Sequence, residues 1–247
     1  QLTKERMNAI KVLLEEEQMT LVTTFDGLMN RLIRPEKLER FILQLSLGEE
    51  LILTDFTKQL VAMGYEKNYQ AEAGGQFAVR GGIIDIYPLT EENPYRIELW
   101  GDEIDSIRSF SAESQRSLEN LETVKIYPAA EIIFEEAVLE KGLKKIEADA
   151  KKLSELYQKE MKTEEAHRVR MLASTAKESI EQFGSVEGMD AYLTYFEEDT
   201  VSLLDYFSKE DALVFLDEPV RAIEKGRVIE KEFQESMKQR LEKGYIL

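Results

Sequence analysis

Two acidic residues at the end of an apolar run are the first candidates for catalytic chemistry. Asp217 and Glu218 follow the run "ALVFL", where nucleoside triphosphatases place a magnesium-binding acid and a glutamate that activates water. That chemistry also needs a phosphate-binding loop of the form G-x-x-x-x-G-K-[ST], which this sequence does not contain. We therefore interpret Asp217-Glu218 as a degenerate motif that begins a helix, and we expect no catalytic residue.

Composition limits the remaining chemistry. A single histidine, His167, and no cysteine leave little for a zinc site or a nucleophilic triad, so we expect neither metal nor cofactor. The net charge of −17 opposes binding to a phosphate backbone and favours a protein partner over DNA. The sequence has no signal-peptide pattern and no long apolar segment, so a cytoplasmic location without membrane contact is expected.

A second group of residues fits binding rather than catalysis. In "FAVRGGIIDIYP" (77–88), Arg80 and two glycines interrupt an apolar strand pattern. Glycines at 81 and 82 permit a bulge or a close approach of backbone, and either would re-aim the side chain that precedes them. We expect Arg80 to be presented to a partner; the other interpretation is that the glycines mark a bulge alone.

The segment "YRIELWGDEIDSIRSF" (95–110) predicts a β-hairpin whose two-residue turn is "GD". Strand alternation then turns Arg96, Glu98 and Trp100 away from the core. The only tryptophan of the chain beside an arginine is typical of a protein–protein hot spot. The alternatives are that Trp100 packs on a neighbouring domain, or that a longer turn carries it into the core. If the side chains of Arg80, Arg96 and Trp100 lie outside the core, their alanine variants should keep wild-type melting temperatures.

The elements that position these residues follow from hydrophobic periodicity. A helix at 54–65 followed by short alternating strands predicts an α+β unit, with strands at 76–80, 82–87, 94–100, 103–110 and 122–127. On either side of this unit, the hydrophobic pattern predicts buried strands at 19–25 and 211–219. It also predicts helices at 4–17, 139–157, 163–183 and 219–242. The predicted fold class is α/β with an α+β insertion, divided into domains 1–41, 42–127 and 128–247.

Residues 77–121 resemble the UvrA-binding domain shared by UvrB and the bacterial transcription-repair coupling factors (Mfd). The shared pattern is F-x-x-R-G, then D-x-[FY]-P, R-[ILV]-[ED] and DEI-[DE]-x-[IL]-R. The resemblance continues through "GMDAYLTYF", "SLLDYF" and "LVFLDEP", so it covers nearly the whole chain. The stretch "SAESQRSLENLETVKIYPAAE" favours the coupling factors, and "DEPV" stands where UvrB has its D-E-S-H helicase motif.

The resemblance implies a fragment with UvrB-like pieces 1a (1–41) and 1b (128–247) around a UvrA-binding domain (42–127). The parent protein would be an ATP-dependent DNA translocase of the helicase type, whose RNA-polymerase-binding and motor domains lie outside these residues. The N-terminal part of the first α/β piece would also be missing.

The implied function is a non-catalytic adaptor that recruits UvrA to stalled transcription complexes in nucleotide excision repair. By position, the contact residues are Arg80, Arg96 and Trp100, with Glu98 and Arg108 as weaker candidates; a phenylalanine is commoner at position 100. Two alternatives remain. One is an active UvrB-like ATPase that binds damaged DNA, and the other is an autoinhibitory clamp in which the same face docks on the parent's own C-terminal region.

Overall fold

The computed structural model describes residues 2–16, 18–183, 192–196, 200–207 and 212–247. The chain forms two compact units, one built from Gln1–Met19 and Ile33–Ile133 and the other from Thr20–Leu32 and Phe134–Leu247. The described helices are α1 (Leu2–Glu15), α2 (Phe25–Met29), α3 (Pro35–Glu39), α4 (Leu53–Ala62), α5 (Glu136–Lys159), α6 (Thr163–Phe183), α7 (Leu193–Phe196) and α8 (Pro219–Glu242). None of these helices has the length and apolar character needed to cross a bilayer.

The first unit contains the described strands, which form two sheets. They are β1 (Leu43–Ser46), β2 (Glu66–Lys67), β3 (Gln76–Arg80), β4 (Ile83–Tyr87), β5 (Tyr95–Trp100), β6 (Glu103–Phe110), β7 (Ser117–Leu121) and β8 (Thr123–Ile126). Strands β3 to β7 pair in sequence order as an antiparallel meander, and β2 adds in parallel to β3. Strands β1 and β8 form a separate antiparallel pair. The predicted helix followed by an antiparallel meander is confirmed for the strands at 76–110. The predicted strand at 122–127 is β8, which lies outside the meander, and β2 and β7 were not predicted.

Helix α4 covers one face of the meander and forms the core with it. Phe56 and Leu60 of α4 are buried in one apolar cluster with strand residues of that face, which are Phe77, Ile84, Ile86, Ile97, Ile104 and Ile107. Alternate residues of each strand point to opposite faces of a sheet, so the intervening side chains lie on the face away from α4. The predicted alternation of β5 is confirmed at Ile97, which is fully buried.

Substitution of Ile97 by alanine tests this packing. We expect Ile97→Ala to lower the free energy of unfolding by about 2–5 kcal/mol, because it opens a cavity at the centre of the cluster. The matched control is Val61→Ala on the exposed side of α4, which should change the free energy by no more than about 0.5 kcal/mol. Urea denaturation of both variants measures the difference, and equal midpoints would contradict the assignment of Ile97 to the core.

The second unit is mainly helical. Helices α5 and α6 contact each other, and Ile146, Ala150 and Val169 are buried between residues of this unit. The predicted helices at 139–157, 163–183 and 219–242 are confirmed as α5, α6 and α8. The combination of helices and antiparallel sheets in this chain agrees with the predicted fold class.

The two strands predicted in the flanks are wrong. Residues 19–24 and 212–216 have irregular backbone and pair with no strand of the described residues. The side chains of Val22, Val214 and Phe215 are exposed. An apolar run predicts burial, but a strand forms only where its N–H and C=O groups meet those of a neighbouring strand.

Candidate protein-interaction face

Six side chains lie on the face of the meander that points away from α4. Strand pairing sets Asp85 opposite Arg96, and Arg96 opposite Arg108. Cross-strand partners point to the same side of a sheet, so these side chains are neighbours. We call this surface the arginine face; its members are Arg80, Asp85, Arg96, Glu98, Trp100 and Arg108.

Asp85 is the centre of the arginine face. It is 1% exposed, although it carries a carboxylate. Arg96 donates Nε to Oδ1 at 2.7 Å and Nη2 to Oδ2 at 2.9 Å, and Arg80 donates Nη2 to the same Oδ2. Sequence reasoning did not assign a role to Asp85. The available signal was an acid between Ile84 and Ile86 in an otherwise apolar strand, since a buried carboxylate needs a charged partner.

Arg96 is held from several sides. Its Nη2 also donates to Gln115 Oε1 at 3.2 Å, and the guanidinium carbon lies 4.3 Å from the centre of the Phe110 ring. The hydrogen bonds to Asp85 raise the pKa of the Arg96 guanidinium, although burial acts in the opposite direction. The Arg96 side chain is 16% exposed and is the main partner of a buried carboxylate, so the condition under which Arg96→Ala would keep wild-type stability is not met.

Arg80 is the last residue of β3. Of the two arginines that bond Asp85 it is the more accessible, with 38% of its side chain exposed. Arg80 pairs with Ile83, so Gly81 and Gly82 are the two residues of a hairpin turn and not a bulge within one strand. Gly81 has a φ of +61°, as in a type II′ turn. Gly82 also allows a close approach of β5, because a Cβ added at this position would lie 3.0 Å from Leu99 O.

The turn gives a second stability test. A φ of +61° is unfavourable for any residue with a Cβ, so Gly81→Ala should lower the free energy of unfolding by about 1–2 kcal/mol. Apart from the two neighbouring residues in the chain, no heavy atom lies within 4 Å of a Cβ added at this position, so the loss reports backbone strain and not a clash. Thermal or urea unfolding measures it. An unchanged midpoint would show that the hairpin does not depend on a left-handed backbone here.

Glu98 and Arg108 form a second ion pair on the arginine face. Glu98 Oε1 accepts from Arg108 Nη2, and Glu98 Oε2 accepts from Ser106 Oγ at 3.1 Å. Both side chains are half-buried. The Nε of Arg108 is buried and has no hydrogen-bond partner among the described residues.

Trp100 ends β5 and projects into solvent, 83% exposed. It pairs with Glu103, so the predicted two-residue hairpin turn is confirmed, and Gly101 has a φ of +66°. The register shift in this hairpin places one extra residue on β6, so alternation along β5 continues to Trp100. The alternative that a longer turn carries this side chain into the core is therefore wrong.

The degenerate motif lies in the second unit. Asp217 and Glu218 directly precede α8, as expected, but they follow irregular chain and not the predicted strand. Both are exposed, and Glu218 accepts a hydrogen bond from Arg221 at 2.9 Å. No group of three or more potential metal ligands occurs in the described part of the chain.

Comparison with known proteins shows which proteins the chain is similar to. The model of the UvrB interaction domain family matches residues 43–132. The chain is 35% identical over its whole length to the transcription-repair-coupling factor of Bacillus subtilis and spans 21% of that protein. It is 31% identical to the corresponding factor of Staphylococcus haemolyticus, over 99% of this chain and 20% of the relative. UvrABC system protein B of Thermosipho africanus is 34% identical over 87% of this chain and 33% of its own length.

These matches cover both flanks as well as the meander, and the chain spans about a fifth of the length of the coupling factors. The resemblance predicted from the sequence is therefore confirmed: residues 43–132 match the UvrB interaction domain family, and the whole chain is similar to one segment of the transcription-repair coupling factors.

Proposed function

We propose that this chain is a non-catalytic adaptor that binds UvrA through the arginine face and recruits it to stalled transcription complexes in nucleotide excision repair. The observation that carries the proposal is Trp100, which is 83% exposed on the same face as three arginines, inside a UvrB interaction domain. A large aromatic side chain in solvent beside arginines is the composition of an interface hot spot.

The chemistry of the face suggests an acidic contact surface on the partner. Arg80, Arg96 and Arg108 concentrate guanidinium groups in a chain whose net charge is −17. A guanidinium presents a planar fork of N–H donors that matches a carboxylate. Trp100 would supply apolar contact area next to these polar contacts, so we assign the arginines mainly to orientation and specificity and Trp100 to affinity.

Titration of the chain with purified UvrA tests the proposal. We expect a saturable complex, weakened by Arg80→Ala and unchanged by Arg40→Ala, which removes an exposed arginine outside the six-stranded sheet. Absence of a complex with the wild-type chain would overturn the proposal, and an equal loss in the two variants would show that charge alone and not this face is recognised.

Similarity to UvrABC system protein B supports one alternative, an active UvrB-like ATPase. The sequence lacks the glycine-lysine loop that would hold the phosphates, so we expect no saturable ATP binding at micromolar nucleotide in the presence of Mg²⁺. Equilibrium titration with a fluorescent ATP analogue measures this, with a UvrABC system protein B as the positive control. Saturable binding by this chain would favour the ATPase.

A further inference from the structure

We infer that Asp85 is a positioning residue for partner binding: its buried carboxylate holds the guanidinium groups of Arg80 and Arg96 in the orientation that the partner meets. The inference rests on the proposed function, because it concerns the same face. Asp85 itself is 1% exposed and therefore offers almost no surface to a partner. Its effect on binding passes through the two arginines.

The geometry gives the two arginines different roles. Arg96 directs Nε and Nη2 to Asp85, contacts Gln115 and stacks on Phe110, so it is the inner support of the face. Arg80 donates a hydrogen bond to Asp85 through Nη2 alone, and Asp85 is its only hydrogen-bond acceptor among the described residues. The remaining N–H groups of Arg80 therefore stay available to a carboxylate on the partner.

Asp85 removes conformational freedom from Arg80 before the partner arrives. An arginine side chain loses substantial rotamer entropy when it becomes ordered, and that loss weakens binding if it occurs in the binding step. Each side chain immobilised in the binding step lowers affinity by about 3- to 10-fold, so the loss of Asp85 should lower it by about 10- to 100-fold when both arginines are released.

An electrostatic account gives the opposite expectation. If Asp85 acted only as a negative charge, its removal would make the face more positive and tighten binding to an acidic partner, most strongly at low salt. Positioning and charge thus predict affinity changes of opposite sign for the same substitution.

The experiment is a titration of UvrA with Asp85→Asn in the full 247-residue chain, with thermal unfolding in parallel. We expect binding to weaken by about 10- to 100-fold at temperatures where the variant is folded. In an Arg80→Ala background the same substitution should weaken binding by only about 3- to 10-fold, because the contribution through Arg80 is gone and that through Arg96 remains. In a Trp100→Ala background its full effect should remain. Unchanged or tighter binding of Asp85→Asn would overturn the inference, as would equal coupling to Arg80 and Trp100.

A second measurement needs no variant and decides the question if Asp85→Asn does not fold. Side-chain ¹⁵N relaxation of the Nε–H groups in the wild-type chain should show Arg80 restricted, nearer to Arg96 than to the exposed Arg40. If Arg80 is as mobile as Arg40, Asp85 does not position it.

Failure of the inference differs from failure of the proposed function. The proposed function fails if the wild-type chain does not bind UvrA, or if Arg80→Ala and Trp100→Ala both bind as well as wild type. The positioning role of Asp85 fails on its own if those two variants lose affinity while Asp85→Asn does not.

Discussion

Arg96→Ala is expected to lower the free energy of unfolding by about 3–5 kcal/mol, one of the largest single effects on the arginine face. The substitution removes both hydrogen bonds that Arg96 makes to Asp85, whose carboxylate is 1% exposed. It also removes the contact with the Phe110 ring. A buried carboxylate that loses its main charged partner keeps its desolvation cost without compensation.

The matched control for Arg96→Ala is Arg80→Ala. Arg80 also bonds Asp85, but its side chain is 38% exposed and solvent screens its ion pair, so we expect a loss of no more than about 1 kcal/mol. Urea denaturation of the two variants side by side measures the difference. Equal and small losses would show that Asp85 does not depend on Arg96.

Trp100→Ala is expected to weaken UvrA binding by about 30- to 1,000-fold, which corresponds to about 2–4 kcal/mol. The free energy of unfolding should stay within about 0.5 kcal/mol of wild type, because the side chain is 83% exposed and contributes little to the core. Trp100→Phe should retain most of the affinity, since it keeps an aromatic ring at the same position. Titration with UvrA and a thermal melt of each variant measure the two quantities.

Tyr69→Ala is the matched control for Trp100→Ala. Tyr69 is an equally exposed aromatic residue in the same unit, just after the edge strand β2, and its removal should leave UvrA binding unchanged. A loss of binding on Trp100→Ala that is accompanied by unfolding would contradict the assignment of Trp100 to an interface.

The hairpin of β5 and β6 shows how far local sequence reasoning extends. Alternation and a two-residue turn are local properties, so they predicted that Ile97 is buried and that Arg96 and Trp100 lie on the opposite face. The motifs of residues 77–121 likewise indicated the family that the comparisons show.

The wrong predictions concern features that depend on contacts between residues far apart in the chain or on strand pairing. Gly81 and Gly82 were interpreted as a bulge or a close approach of backbone, and only the pairing of Arg80 with Ile83 shows that they form a hairpin turn. The run at 212–216 has the composition of a buried strand but no neighbouring strand among the described residues, so its backbone groups have no ladder to join.

The sequence by itself determined helix α4, the hairpin of β5 and β6 and the strand faces, because each depends on residues close together in the chain, whereas the exposure of Trp100 was left open. Only the tertiary structure decided that Arg80 and Arg96 converge on Asp85. That convergence requires the register between β3, β4 and β5, which follows from packing the whole apolar face against α4. A presented arginine and an arginine that supports a buried carboxylate have the same local sequence pattern, and their burial and charged partners tell them apart.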